Sequence, residues 1–268
     1  RAVVWPCDAS RRELLFVLRH NDFLPAGGRL RFTNDSPDYT VLNRILTPGF
    51  DSAIRIDGSV RSEFSGTGAA AGNIWFYSAG GIIAGSSSVF DVGSLALTTN
   101  DIATGGGLFG AGGEIRFRGT AGSTATVQIE NGAQIFALND GSYVALVAPR
   151  IEQGGTVDVN GSAAYVATEQ VDLTLNSGLF DITIPFGSGT TDGNGIVHTG
   201  TTTGDASTSQ STDAQAIYMA ALPKTTGDVV SMLVGGNVGY RPAVSAGIEN
   251  GRIVLSNSYN VSVGASGA

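Results

Sequence analysis

Carboxylates and arginines are the side chains of this 268-residue chain whose spacing could do chemistry. Glu169 and Asp172 lie close together in sequence, and a fold of stacked coils would set Asp158 one coil below them. Arg116 and Arg118 project from one face of a strand, with Arg150 stacking nearby. Two acidic groups roughly 5–10 Å apart are what glycoside hydrolysis requires. Charge pairing across the flank of a β-fold explains the same residues without chemistry. The lack of a dense aspartate cluster favours that simpler account.

Other chemistries are bounded by counts. His20 and His198 are the two histidines, 178 positions apart, and Cys7 is the one cysteine. An internal disulfide and a thiolate metal cluster are both excluded. A catalytic triad built on His198 would sit in the polar stretch 187–214, where rigid geometry is hard to hold. His198 is expected to be a solvated loop residue. Asp192-Gly193-Asn194-Gly195 lacks the rest of a calcium loop and reads as a turn. Gly105-Gly106-Gly107 leads into no strand–helix phosphate cradle. The expectation is a chain with no catalytic residue, no metal and no cofactor.

The elements that would position any site are short strands. In residues 72–102 apolar and polar positions alternate in bursts broken by Gly or Ser, with Ile74, Phe76, Ile82, Val89, Phe90, Val92, Leu95 and Leu97 on the apolar side. Turn residues recur too often for a helix of useful length. With 39 glycines the composition is rich in turn formers. A sandwich, a barrel or a β-solenoid fits this pattern. Residues 64–90 carry no charge, yet Gly, Ser, Thr and Asn interrupt them, so a buried strand pair is expected there and not a membrane span of about 20 apolar residues.

Downstream, Val127-Gln128-Ile129 with Asn131-Gly132, and Val157-Asp158-Val159 with Asn160-Gly161, read as copies of one unit. Each is followed by a strand holding Val-Ala, and Asn-Gly would turn a corner between faces or close a hairpin. At about 20–25 residues per turn, ten to thirteen coils are expected. The polar stretch 187–214 reads as a surface loop, and Ala216 to Leu222 as the best short helix candidate. Leu14 to Leu18 reads as the first buried strand or part of a cap. Net charge is −8, being +2 over residues 1–61 and −10 over residues 62–268. An acidic flank disfavours nucleic acid as a partner. No signal peptide opens the chain and no stop signal closes it, so a processed or excised piece of a longer polypeptide is expected.

Several ordered blocks carry a family resemblance. Gly72-Asn73-Ile74-Trp75, Gly81-Ile82-Ile83-Ala84-Gly85 and Asp91-Val92-Gly93-Ser94-Leu95 follow one another at regular spacing. Upstream stand Asp22-Phe23, Gly28-Arg29-Leu30-Arg31-Phe32, Val41-Leu42-Asn43-Arg44-Ile45 and the run Ile54 to Val60. Together they resemble the N-terminal secretion domain of filamentous haemagglutinin-type exoproteins of two-partner secretion systems. The likeness runs from about Leu14 to Ile102 and weakens beyond. The family's N-P-N-G turn falls on Ser78-Ala79-Gly80-Gly81, where Gly80 and Gly81 can both take a positive φ.

The resemblance implies an all-β fold, a right-handed parallel β-helix with an N-terminal cap and surface excursions. One domain would span 1–268: a cap region over 1–31, coils over 32–186, a polar excursion over 187–214 and further coils over 215–268. It implies the secretion domain of a large secreted or cell-surface bacterial adhesin, recognised by an outer-membrane β-barrel transporter and nucleating β-helix folding outside the cell. The receptor or glycan it would meet is unknown. Asn43, Arg44 and the turn Ser78, Ala79, Gly80 and Gly81 are the candidate partner-recognition residues. The structural account of the first two has Asn43 turning or laddering the backbone and Arg44 pairing with an acidic neighbour such as Asp57. A polysaccharide lyase or hydrolase and a structural surface filament are the alternative functions.

Overall fold

A computed structural model describes residues 3–8, 13–18, 24–45, 52–205, 214–240, 245–249 and 252–256. The described residues are all-β, and their parallel strands stack into three faces in the manner of a parallel β-solenoid. The first face runs through Thr40–Ile45, Asn73–Tyr77, Ser94–Thr98, the later parts of Gln134–Ala148 and Thr156–Ala167, and Ile217–Ala221. The second runs through Arg29–Asn34, Ser59–Phe64, Val89–Asp91, the earlier parts of the same two long strands, Thr201–Thr203 and Asn237–Val238. The third holds Ile54–Ile56, Ile82–Ala84, Thr126–Ile129, Arg150–Gln153, Asn194–His198 and Ser231–Val234.

Period-two alternation dictates what fills the inside. Val41, Ile74, Leu95 and Val144 are inward on the first face, Val60, Phe90, Ile135 and Val157 on the second, and Ile54, Ile82, Val127 and Ile151 on the third. All belong to one core, in which Phe76 meets Phe32 and Phe90 edge to face at centroid separations of 6.5 and 6.4 Å. Of the apolar positions expected to be buried between residues 74 and 97, Val89 alone is only half-buried. At the N-terminal end, Val3–Asp8 pairs antiparallel with Glu13–Leu18, which pairs parallel with Thr40–Ile45.

Two long segments leave the stack between the first and third faces. They supply Asp101–Ile102 with Ile115–Arg118, and Gln170–Asn176 with Leu179–Thr183, which join as a four-stranded antiparallel sheet. A second apolar core forms between this sheet and the outer side of the first face, from Ile102, Ile115, Phe117, Val171, Leu173 and Phe180 against Leu42, Trp75, Ala96, Ala145, Val147 and Val166. Ser94–Thr98 is consequently buried at every position, not on one face alone. The excursions also explain why the third face has six strands among the described residues, fewer than the ten to thirteen coils expected.

Three further expectations are corrected. Residues 217–221 form a strand and not a helix, because Ile217, Met219 and Ala221 pack on the inner core while Tyr218 and Ala220 pack on the outer one. The polar stretch 187–214 contains the strands Asn194–His198 and Thr201–Thr203. The repeat is also out of register: Val127 stacks on Ile151, and Val157 on Ile135. Asn-Gly nevertheless stands at corners between faces: Gly132 turns at φ 97°, and Asn160-Gly161 lies where the continuous strand Thr156–Ala167 passes from the second face to the first.

Phe76 touches two other levels of the inner core, so Phe76→Ala should cost about 3–5 kcal/mol in chemical denaturation. A loss under about 1 kcal/mol would show that the site is not the packed interior described.

Candidate functional site

Asn43 and Arg44 stand on opposite sides of the strand Thr40–Ile45. Asn43 faces the interior, where it is buried and its Nδ2 donates to the Trp75 carbonyl at 3.0 Å on the neighbouring strand. Arg44 faces outward, reaching the Asp101 carboxylate at 3.0 Å and the Ile102 carbonyl in the first excursion. Its partner is therefore Asp101 and not Asp57, which is held by Arg55 on the third face. Local sequence could not foretell this, since the excursion returns Asp101 to a strand 57 positions earlier. Burial pushes the Asp101 carboxyl above its usual range, against the opposing pull of Arg44.

Arg44 sits in register with Tyr77, and the next residue begins the turn Ser78–Gly81. Gly81 N donates to the Ser78 carbonyl at 3.2 Å, and Ser78 N donates to the Thr98 carbonyl at 3.1 Å. Gly81 has φ 121°, and a Cβ there would fall 2.9 Å from Ala53 Cβ and 3.1 Å from the Thr126 carbonyl oxygen. Glycine is thus required by both conformation and the coils on either side. Gly80 does not take the positive φ expected of it. Ala79 is exposed at the tip. The fold therefore gathers Arg44, Tyr77, Asp101 and the turn at one corner, and removes Asn43 from it.

The carboxylates considered for glycoside chemistry do not converge. Asp158 lies on the second face with Phe136 and Thr203 as register neighbours, and Asp172 lies in the antiparallel sheet opposite Arg116. Arg118 holds Asp172 at 2.5 Å, and Arg116 donates to the carbonyls of Ala103 and Gly105. Arg150 pairs with Glu152 and, at 3.8 Å, with Asp192. Burial and nearby Asp205 raise the Asp158 carboxyl. Among the described residues, no three His, Cys, Asp or Glu side chains gather as metal ligands. His20 lies outside the described residues. His198 is fully buried in a strand, which corrects its expected place in a solvated loop.

Glu169 has a structural partner that sequence spacing did not reveal. Lys224 Nζ lies 2.8 and 2.7 Å from its two carboxylate oxygens, and Gly122 N donates to one of them at 2.6 Å. Glu169 opens the second excursion, Gly122 closes the first, and Lys224 follows the next first-face strand. One buried carboxylate thereby clamps three distant segments. The usable signal was composition: Lys224 is the chain's one lysine.

The second core, between the first face and the antiparallel sheet, opens into a cleft of about 280 Å³ lined by Phe109, Tyr143, Leu175 and Phe180, with Asn73 and Ser94 as polar groups. Those polar groups are engaged: Asn73 Nδ2 donates to Thr40 Oγ1, and Ser94 Oγ accepts from Tyr143 N. The Tyr143 hydroxyl accepts from Trp75 Nε1 at 2.8 Å. The arrangement packs two layers together and presents no reacting group.

No protein-family model matches the chain, and no curated protein matches it.

Removing the charge of Glu169 leaves a largely buried ammonium unpaired. Glu169→Gln should destabilise the fold by roughly 3 kcal/mol. Because Lys224 is the one lysine, mass spectrometry after treatment with an amine-acylating reagent reads its exposure directly. Modification of Lys224 should be slow in the parent protein and faster in E169Q. Equal rates would mean that the clamp is not closed in solution.

Proposed function

We propose that the chain is the secretion domain of a large bacterial surface adhesin exported by a two-partner system. In this reading it is one right-handed parallel β-helix with an N-terminal cap, read by an outer-membrane β-barrel transporter and folding outside the cell. The general right-handed preference of parallel crossovers supports the handedness. Nearest-neighbour stability in a stack makes nucleated, coil-by-coil folding plausible.

One observation carries the reading. The family-like blocks fall, in order, on consecutive positions of the stack. Gly72 to Trp75 opens a first-face strand, Gly81 to Gly85 frames the third-face strand Ile82–Ala84, and Asp91 to Leu95 turns from the second face into the next first-face strand. The Val41-Leu42-Asn43-Arg44 block lies on the strand paired with Asn73–Tyr77. Blocks scattered over unrelated elements would have given the resemblance no structural meaning.

Within this reading Asn43 serves the fold, and Arg44 with the Ser78–Gly81 turn forms the surface offered to the transporter. Ala79 is exposed, so a bulky residue there should disturb recognition without disturbing packing.

Expression in a Gram-negative host with and without the cognate transporter tests the assignment. Release into the medium should require the transporter, and Ala79→Trp should lower release while leaving the thermal transition of the purified protein unchanged. Release that is indifferent to the transporter would refute the secretion reading. Normal release of A79W would remove the turn from the recognised surface.

A further inference from the structure

His198 ends the third-face strand Asn194–His198 with its side chain turned into the stack. Its ring stacks on Tyr165, with centroids 6.2 Å apart and planes 23° from parallel. Nδ1 lies 2.8 Å from the Gly235 carbonyl oxygen, and Nε2 lies 2.9 Å from the Thr202 hydroxyl. A carbonyl can only accept, so Nδ1 carries the proton and Nε2 accepts from Thr202. Thr202 in turn accepts from the Tyr165 hydroxyl at 2.7 Å. The neutral ring therefore completes a chain of donors running Tyr165, Thr202, His198, Gly235. A protonated ring would place N–H on both nitrogens, and the Thr202 hydroxyl proton would lose its acceptor in a buried site.

The position of this chain gives it consequence. Gly235 N also donates to the His198 carbonyl at 2.7 Å, so His198 holds the corner after Ser231–Val234 by both backbone and side chain. On the strand below, Gln153 occupies the same column and its Nε2 donates to the carbonyls of Gly155 and Thr201. Gln153 thus makes a comparable link between coils with a group that does not titrate.

The side chains facing the imidazole are Gln153 from Arg150–Gln153, Tyr165 from Thr156–Ala167 and Thr202 from Thr201–Thr203, with the Gly235 backbone closing the fourth side. Among these described neighbours Tyr165 is the one titratable group, and burial pushes its hydroxyl far up, so it stays neutral. Tyr240, beyond Tyr165, donates to the Gly161 carbonyl and is likewise pushed up by burial. Arg150 and Glu152 lie on the outward side of their strand and pair with each other.

We infer that His198 is an acid-sensitive latch on the last described third-face coil: the neutral ring is sealed beneath Ser231–Val234 with both nitrogens partnered, whereas the protonated ring, which keeps its Gly235 bond but leaves the Thr202 proton without an acceptor, favours the state in which that coil lifts and water reaches it. Burial holds the imidazole below its usual 6.5. A base depressed in the folded state stabilises fully above the unfolded value, and that contribution is lost as pH falls below it toward the folded value. The latch is closed at neutral pH, and its contribution begins to fall once pH drops below 6.5.

Hydrogen exchange read by mass spectrometry between pH 7.5 and 5, with intrinsic rates corrected, tests the latch. Opening of peptides spanning residues 231–238 should rise by up to about tenfold per pH unit below 6.5. H198Q, which copies Gln153, should hold the same peptides with no such dependence. A flat response in the parent protein, or an equal response in H198Q, overturns the inference. A second readout needs no variant at position 198: in H20Q the one remaining imidazole should titrate below 6.5 by NMR and carry its proton on Nδ1. A ring titrating at or above 6.5 would overturn the inference equally.

Discussion

The constraint on which the structure depends is that each coil must hand its backbone hydrogen bonds to the coils beside it. A short strand such as Ile82–Ala84 cannot stand alone, and here it is paired on both edges, to Ile54–Ile56 and to Thr126–Ile129. Inward side chains must then fill every level without gaps, because a void at one level loses contacts for its neighbours too. The column Val41, Ile74, Leu95, Val144 on the first face, facing Phe90 and Ile135 on the second, meets that demand. Polar groups inside use their donors to tie coils together. Asn43 donates to the Trp75 carbonyl, and Gln153 Nε2 donates to the carbonyls of Gly155 and Thr201 while its Oε1 has no partner among the described residues.

A second layer changes what the first face can do. In a simple stack its outward residues would meet water, and Leu42 and Trp75 would be exposed. The two excursions cover them with an antiparallel sheet, so the first face is buried on both sides and reads as a continuous apolar run. Charged clamps fasten the cover at its margins: Arg44 to Asp101, Arg118 to Asp172, and Lys224 to Glu169. On the uncovered third face Arg55 bridges Asp57 and Glu130 across coils, and its guanidinium holds the Glu130 carboxyl below the usual range.

The inner core was legible because its signal is local. Ile74, Phe76, Leu95 and Leu97 alternate within their own strands, and that period decides which side is buried. The excursion sheet was not legible, because Asp101 and Asp172 meet their arginines through topology and not through spacing. Ala216 to Leu222 misled for a related reason: half-buried, with apolar contacts on both faces, it shows no alternation, and a short apolar run does not distinguish strand from helix. The Val-x-Ile and Asn-Gly copies misled because Val127 and Val157 lie on different faces of the stack, so similarity of sequence did not mark equivalence of position. The polar neighbours of His198 read as a loop, yet Thr202 and the Gly235 carbonyl supply inside the stack what water would supply outside. At the proposed recognition corner, motif order identified Arg44 and the Ser78–Gly81 turn, whereas only the alternation of side chains could reveal that Asn43 points away from it.

A crystal structure of the chain is the most direct measurement of the central claim. The account predicts right-handed parallel coils in which Ile74, Leu95, Val144 and Ala163 form one column, with the antiparallel sheet laid over Trp75 on the opposite side. A sandwich of antiparallel sheets, or left-handed coils, would contradict it.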